Sequence, residues 1–420
     1  MMFETHPSRR DWHSAVACAV GAMLQVTTLI VGTFPVFLQP VCQELGWSRG
    51  TFSEAIGFNG LVVAFFSPLV GRWVDLWGAR RFMLPGIVLY ALNVMALSRL
   101  TASPARLYVV FGILGLDCTL CGLVPLTKVI SATFYESRGA MLGILGGSAT
   151  VSVAGAVAVA RFLIVSYGWR MSYLILGLSV LVVGFPIMLL FLRDPPMSTA
   201  AESRVEPTIP GVPVRDALAG RAFWLMFIAA LLTGSATMGL IAHSFAWLTG
   251  RSVSGTLATS LVSLIAVGQF LGQISSGLLL DRAASPKIAI SFFATTLLGT
   301  LMLDYYSAGW RVLPVAALVL GMGTGAQTAV FGYFISRFFG LASFASIQSL
   351  FASAFALSAT IGISLMGACF DRFGSYEIGI HACEAAVAVS TILIAFLGPY
   401  VYSARRPGQQ QRILGYRDLA

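Results

Sequence analysis

Twelve runs of mostly apolar residues, each long enough to cross a bilayer as a helix, leave this chain few ways to fold. They cover residues 14–39, 51–70, 82–98, 106–134, 140–165, 170–192, 222–249, 254–280, 287–307, 311–338, 342–370 and 376–402. A spanning helix needs roughly 20 apolar residues. Barrel strands are shorter and alternate in polarity with period two, which these runs do not. Charge is correspondingly scarce: 10% of the 420 residues are charged, 57% are hydrophobic and the mean hydropathy is +0.85. Soluble domains carry about 25% charged residues, so lipid is the expected solvent. The expected fold is all-α, with twelve transmembrane helices.

The net charge of +9 follows from topology rather than from a nucleic-acid face. With the N-terminus inside, 17 of the 26 basic residues fall in cytoplasmic segments, seven fall outside, and Lys128 and Arg161 lie within runs. That excess sets both termini in the cytoplasm. Met1 to Trp12 is polar and the first run is long enough to span, so no cleavable signal peptide is expected. The six cysteines are scattered. Cys118 and Cys121 form a Cys-x-x-Cys inside an apolar run, with no second pair and no nearby histidine, which reads as small core residues.

Between the second and third runs lies a polar clasp, Gly71-Arg-Trp-Val-Asp-Leu-Trp-Gly-Ala-Arg-Arg81. A weaker copy, Gly277…Asp281-Arg282…Lys287, follows 206 residues later. Ile130-Ser-Ala-Thr-Phe-Tyr135 likewise recurs as Ile335-Ser-Arg-Phe-Phe-Gly340. Repetition at half the chain length predicts two pseudo-symmetric six-helix halves: residues 1–194 and 222–420, joined by a polar linker at 195–221. The clasp charges, Asp75, Arg80 and Arg81 with Asp281 and Arg282, read either as a latch that opens in one conformation or as solvated loop charges. The repeat favours the latch. Glu136 and Arg138, in the next cytoplasmic turn, are candidate latch partners.

Polar residues inside a spanning helix are costly and mark function by default. In the fourth run Asp117 and Lys128 stand 11 residues apart, about 20° from one face and roughly 16 Å along a continuous helix. Lys128 reads as a functional cation, as a salt-bridged structural lysine or as one that snorkels to the cytoplasmic end. Asp117 reads as a proton acceptor or as the partner of Lys128 through a neighbouring helix. Arg161 either snorkels outward or presents a guanidinium to a cavity. Gln25 and Asn59 in the first half, and Gln269, Gln273, Gln327 and Tyr333 in the second, are further polar candidates. Tyr333 matches Lys128 at the repeat offset. His243 is a core histidine or a proton relay.

The two halves, the Gly71…Asp75…Gly78…Arg80-Arg81 clasp and its copy resemble the major facilitator superfamily over nearly the whole chain. Glu44-Leu-Gly-Trp-Ser-Arg, Phe134-Tyr-Glu-Ser-Arg-Gly, Gly168-Trp-Arg and Asp371-Arg-Phe-Gly-Ser-Tyr resemble its monocarboxylate-porter and oxalate–formate-antiporter branch. The resemblance implies alternating access and carboxylate substrates. It also implies basic residues in the eighth and eleventh helices, where this chain has Gln269, Gln273 and Gln348 instead.

The expectation is therefore a secondary transporter of the cell inner membrane, moving a small mono- or dicarboxylate with a proton. Lys128, with Arg161, would hold the anion. Gln25, Asn59, Gln269, Gln273, Gln327 and Tyr333 would orient it, and Asp117 or His243 would carry the proton. An exporter of amphipathic drugs or metabolites is the alternative. The expected partners are the carboxylate, a proton and the lipid bilayer, with no nucleic acid, and the protein is expected to be a monomer. No cofactor and no metal are expected. The chain has no His-Glu-x-x-His and no phosphate-binding loop, so an enzyme is not expected.

Overall fold

The computed structural model describes residues 8–194, 211–282, 285–305 and 311–402, apart from the side chains of residues 49, 50 and 53. Most of the expected linker and the tail after Tyr402 lie outside the described residues. Within them the chain is helical, with no strand and a single isolated bridge, Gly211 to Gly340.

Among the described residues, ten helical segments are long and apolar enough to cross a membrane. One of them, Arg138–Phe191, has 54 residues and turns at Gly168, where φ is 78° and ψ 163°. The fifth and sixth apolar runs are thus its two arms. Ile288–Asp304, the ninth run, is a shorter apolar helix of 17 residues. In chain order the helices are α1 (Arg9–Leu24), α2 (Phe34–Leu45), α3 (Arg49–Trp77), α4 (Arg80–Leu97), α5 (Pro104–Cys121), α6 (Leu123–Thr133), α7 (Arg138–Ser179) and α8 (Phe185–Phe191). After them come α9 (Val214–Ala219), α10 (Arg221–Gly250), α11 (Gly255–Arg282), α12 (Ile288–Asp304), α13 (Val312–Phe338), α14 (Phe344–Phe373) and α15 (Glu377–Ala395).

Two runs expected to be continuous are broken. The first stops at Gln25, whose ψ of 165° is extended, and resumes as a π-turn at Thr27–Val31. Thr28 Oγ1 donates to the Ala22 carbonyl at 3.1 Å, which satisfies a group the break exposes. The fourth run breaks at Gly122, between α5 and α6. Pro125 lacks the N–H that the Cys121 carbonyl would otherwise accept. The phase argument that put Asp117 and Lys128 on one face fails across this break.

The chain forms two compact units. The first comprises residues 1–129, 145–194 and 349–360, and the second 130–144, 195–348 and 361–420. In the first, Phe37 stacks on the fully buried Tyr173 with ring centroids 4.0 Å apart. Two stretches that carry the family resemblance meet there. Glu44 accepts from Trp169 Nε1 at 2.6 Å and from Arg170 Nε at 2.9 Å. Arg170 donates onward to the Ser98 and Leu100 carbonyls. These hydrogen bonds hold the Glu44 carboxyl below its ordinary pKa.

In the second unit Leu240, Trp247, Leu261, Leu313, Leu320 and Met366 share one core. The α11 and α13 backbones meet at glycines: a methyl on Gly272 would overlap the Met322 carbonyl, and one on Gly325 the Gln269 carbonyl. Apolar contact brings helices no advantage over lipid, so such close approach is what binds them. Outward-facing side chains are apolar, as Phe65 (71% exposed) and Val165 (81%) illustrate. The expected linker is ordered near its end: Val212 N–H donates to the Phe339 carbonyl and α9 buries Ala217.

Candidate functional site

In the first unit α3 and α6 bring Asp75 and Lys128 together. The Lys128 ammonium is 2.9 Å from Asp75 Oδ1 and 2.7 Å from the Val74 carbonyl, and the side chains are 16% and 8% exposed. The charge expected to hold an anion thus has a carboxylate counter-charge already, and the pair is neutral. Of the readings open for Lys128, this is the geometry of the salt-bridged one.

Asp117 does not reach Lys128 through a neighbour. It is fully buried, and its Oδ2 accepts from Asn93 Nδ2 at 3.1 Å. Its Oδ1 and the Tyr90 hydroxyl have no hydrogen-bond partner among the described residues. The two helix breaks of this unit face each other: the Gln25 side-chain oxygen stands 3.7 Å from where a Cβ on Gly122 would lie. Asn59 Nδ2 donates to the Phe111 carbonyl at 3.1 Å, a bond that ties α3 to α5. Arg161 is exposed on α7 beside Phe162 and Val165, the composition of a lipid-facing surface. At the clasp, Asp194 caps α4, accepting from the Ala79 and Arg80 amides at 2.8 and 3.1 Å, while Arg80 Nη2 donates to the Leu189 carbonyl.

The second unit holds the other clasp acid, Asp281, at the end of α11. It reaches the amino end of α7: the Gly139 and Ala140 amides donate to its Oδ1 and Oδ2, each at 2.7 Å. Free amides and the helix dipole make such an end a natural anion seat. The approach requires Gly139, since a methyl there would overlap the Gly277 carbonyl and stand 2.9 Å from Asp281 Oδ1.

Two buried arginines lie close enough to Asp281 to bear on its charge. Arg138, 2% exposed, donates from Nε to the Ser131 carbonyl at 2.9 Å and lies over the Tyr135 ring. Arg337, 8% exposed, donates from Nη1 to Tyr333 Oη at 3.1 Å and lies 4.4 Å from the Tyr400 ring centre. Arg138 Nη2, Arg337 Nε and the Tyr400 hydroxyl have no hydrogen-bond partner among the described residues. Among the described residues the Asp281 oxygens accept from amides and neither arginine has a carboxylate in hydrogen-bond contact, so the cluster there is short of negative charge.

The other expected residues are placed separately. Gln327 is buried, 3.4 Å from Thr296 Oγ1. Gln273 is buried and Gln269 half-buried on α11. His243 is held at both nitrogens, 3.3 Å from Tyr376 Oη and 3.2 Å from the Ile363 carbonyl. Arg81, Glu136 and Arg282 are exposed. Arg337, Tyr400 and Asp194 were not foreseen as site residues. The copied Ile130/Ile335 motif carried the signal for Arg337, the one arginine in it.

A family model described as Major Facilitator Superfamily matches residues 17–258. Monocarboxylate transporter 13 of Rattus norvegicus is 23% identical over 406 residues, covering 96% of this chain and 92% of that one. Monocarboxylate transporter 11 of Mus musculus is 24% identical over 331 residues, 76% and 73% of the two chains. Among solved structures, the human organic anion transporter MFSD10 (TETRAN) aligns with a TM-score of 0.71 at 14% identity, covering 91% of this chain and 99% of that one. The transporter FucP in the outward conformation aligns at 0.68 and 16%, covering 92% and 99%.

Proposed function

Because the chain belongs to the major facilitator superfamily and is a multi-pass membrane transporter rather than an enzyme, we propose that it carries a small mono- or dicarboxylate across the cell inner membrane. Transport is coupled to a proton and proceeds by alternating access, with the halves 1–194 and 222–420 rocking on the linker 195–221. The observation that carries this reading is the charge imbalance around Arg138 and Arg337. Two buried guanidiniums with unmatched donors suit a carboxylate, which they grip in planar, paired hydrogen bonds. Tyr333, held by Arg337, adds a hydroxyl at the same place. The names of the monocarboxylate transporter relatives support the substrate class.

In this reading Asp281 and the amino end of α7 are the gate, and Arg138 and Arg337 are its sensor. An arriving carboxylate competes with Asp281 for the two arginines. Lys128 and Asp75 stay paired and fasten α3 to α6. Asp117, buried with one oxygen unpartnered among the described residues, takes the proton in preference to His243, which is held at both nitrogens. Gln25, Gln269 and Gln273 orient the substrate, while Asn59 and Gln327 serve helix contacts. The excess of basic residues in alternate loops supports cytoplasmic termini, and the protein acts as a monomer.

Reconstitution in liposomes with a panel of labelled carboxylates tests this. Arg337→Gln is expected to weaken apparent substrate affinity by tenfold or more, and Arg337→Lys by less. Should Arg337→Gln and Arg138→Gln both transport with unchanged affinity, the anion-sensing role is wrong.

A further inference from the structure

Where α10 and α12 end and α15 begins, the second unit holds a cluster that transport as proposed does not use. Asp304 closes α12 with its side chain 2% exposed. His381 and Glu384 stand one turn apart on α15, a spacing that puts them on one face. A ligand atom from each of the three lies within 4.8 Å of the other two. We propose that Asp304, His381 and Glu384 bind a divalent transition cation of the zinc type.

One imidazole nitrogen and two carboxylate oxygens form a donor set that suits such an ion. The spacing is right for two of them. His381 Nε2 lies 3.4 Å from Asp304 Oδ2, and two ligands each bonded to a tetrahedral zinc are separated by about 3.3–3.4 Å. Glu384 supplies the independent sign. Its Oε1 is shielded from solvent and has no hydrogen-bond partner among the described residues, a costly state for a carboxylate that a cation relieves.

Arg251 completes the arrangement from α10's end. Its Nη2 lies 3.0 Å from Asp304 Oδ1, and its Nη1 donates to the Asp304 carbonyl. The Nη2 contact is an ion pair without hydrogen-bond geometry, so it offsets the charge of Asp304 and leaves Oδ2 for the ion. With a neutral imidazole, two carboxylates and one guanidinium still leave a negative charge to attract a cation. Tyr305 Oη, 3.4 Å from His381 Nε2, gives way to the ion. The His381 side chain is 53% exposed, so the cluster has an entry path. An ion-pair staple of helix ends needs only Arg251 and Asp304, and gives no account of the shielded Glu384 oxygen beside them.

The test uses the full chain in nanodiscs, zinc chloride alone as titrant and a chromophoric chelator as competitor, with melting temperature recorded alongside. The wild type is expected to bind one zinc ion and melt higher with it. His381→Ala and Glu384→Gln are each expected to weaken binding tenfold or more and to remove the melting shift. His381 is exposed and glutamine matches glutamate in shape, so both variants keep the fold, which their zinc-free melting checks. No zinc binding, or equal affinity and stoichiometry in the wild type and both variants, overturns the proposal.

Discussion

Asp75 and Asp281 occupy the same place in two copies of one motif, 206 residues apart, and use their charge in opposite ways. Asp75 meets a full cation, Lys128, at 2.9 Å in the first unit. Asp281 meets the amides of a helix end, at 2.7 Å each, in the second. Breaking a buried ion pair by removing one partner costs about 3–5 kcal/mol, whereas an anion at a helix amino end contributes up to about 2 kcal/mol. The first arrangement therefore suits a fastening and the second a contact that opens and closes. The repeat sets where the acid stands, and the neighbour sets what it does.

The largest expected effect tests the fastening. Lys128→Ala takes the ammonium away from the buried Asp75 carboxylate and is expected to cost about 3–5 kcal/mol, read as a lower melting temperature. Lys128→Met with Asp75→Leu is expected to recover most of it. If the single variant melts no lower than the double, the ion pair is not what holds α3 to α6. Asp281→Ala comes next. Losing both amide contacts is expected to shift the gate by about 2 kcal/mol, roughly thirtyfold. A faster alkylation rate of a cysteine introduced as Ala140→Cys would report it, and Asp281→Asn should fall about halfway. Gly139→Ala leaves every charge in place and adds only a methyl against the Gly277 carbonyl. Its expected cost is about 1.5 kcal/mol, in the same alkylation assay and with the same sign.

A third carboxylate sharpens the contrast from outside the spans. Glu44 is half exposed, and its folded pKa lies below the ordinary 4.5. Its contribution is therefore complete above that value and is lost as the pH falls through the lower, folded pKa. Melting curves taken across that range should show a small loss on acidification that Glu44→Gln lacks. This is the smallest of the effects, because solvent screens an exposed pair.

The spanning helices were legible because lipid leaves a long, unbroken mark on composition. The clasp acids were legible because a motif at one offset needs no partner to be noticed. Their partners were harder, because Lys128 lies 53 residues beyond Asp75 and nothing local connects them. The break at Gly122 was written in the sequence as Gly122 and Pro125, but the apolar run around them hid it. Arg161 was left open between lipid and cavity, and only the exposure of Phe162 and Val165 beside it gives its surroundings. The meeting of Glu384 and Asp304 joins residues 80 apart, which no periodicity reports.

The glycine-to-carbonyl contacts of α11 and α13 carry a last consequence. Two backbones that touch without side chains between them have no slack, so the pair travels as one plank. Nitroxides at Leu271 on α11 and Val315 on α13, both outward-facing, should keep a single separation through the whole working cycle. Such a pair would serve as the ruler against which every moving part of this protein is measured.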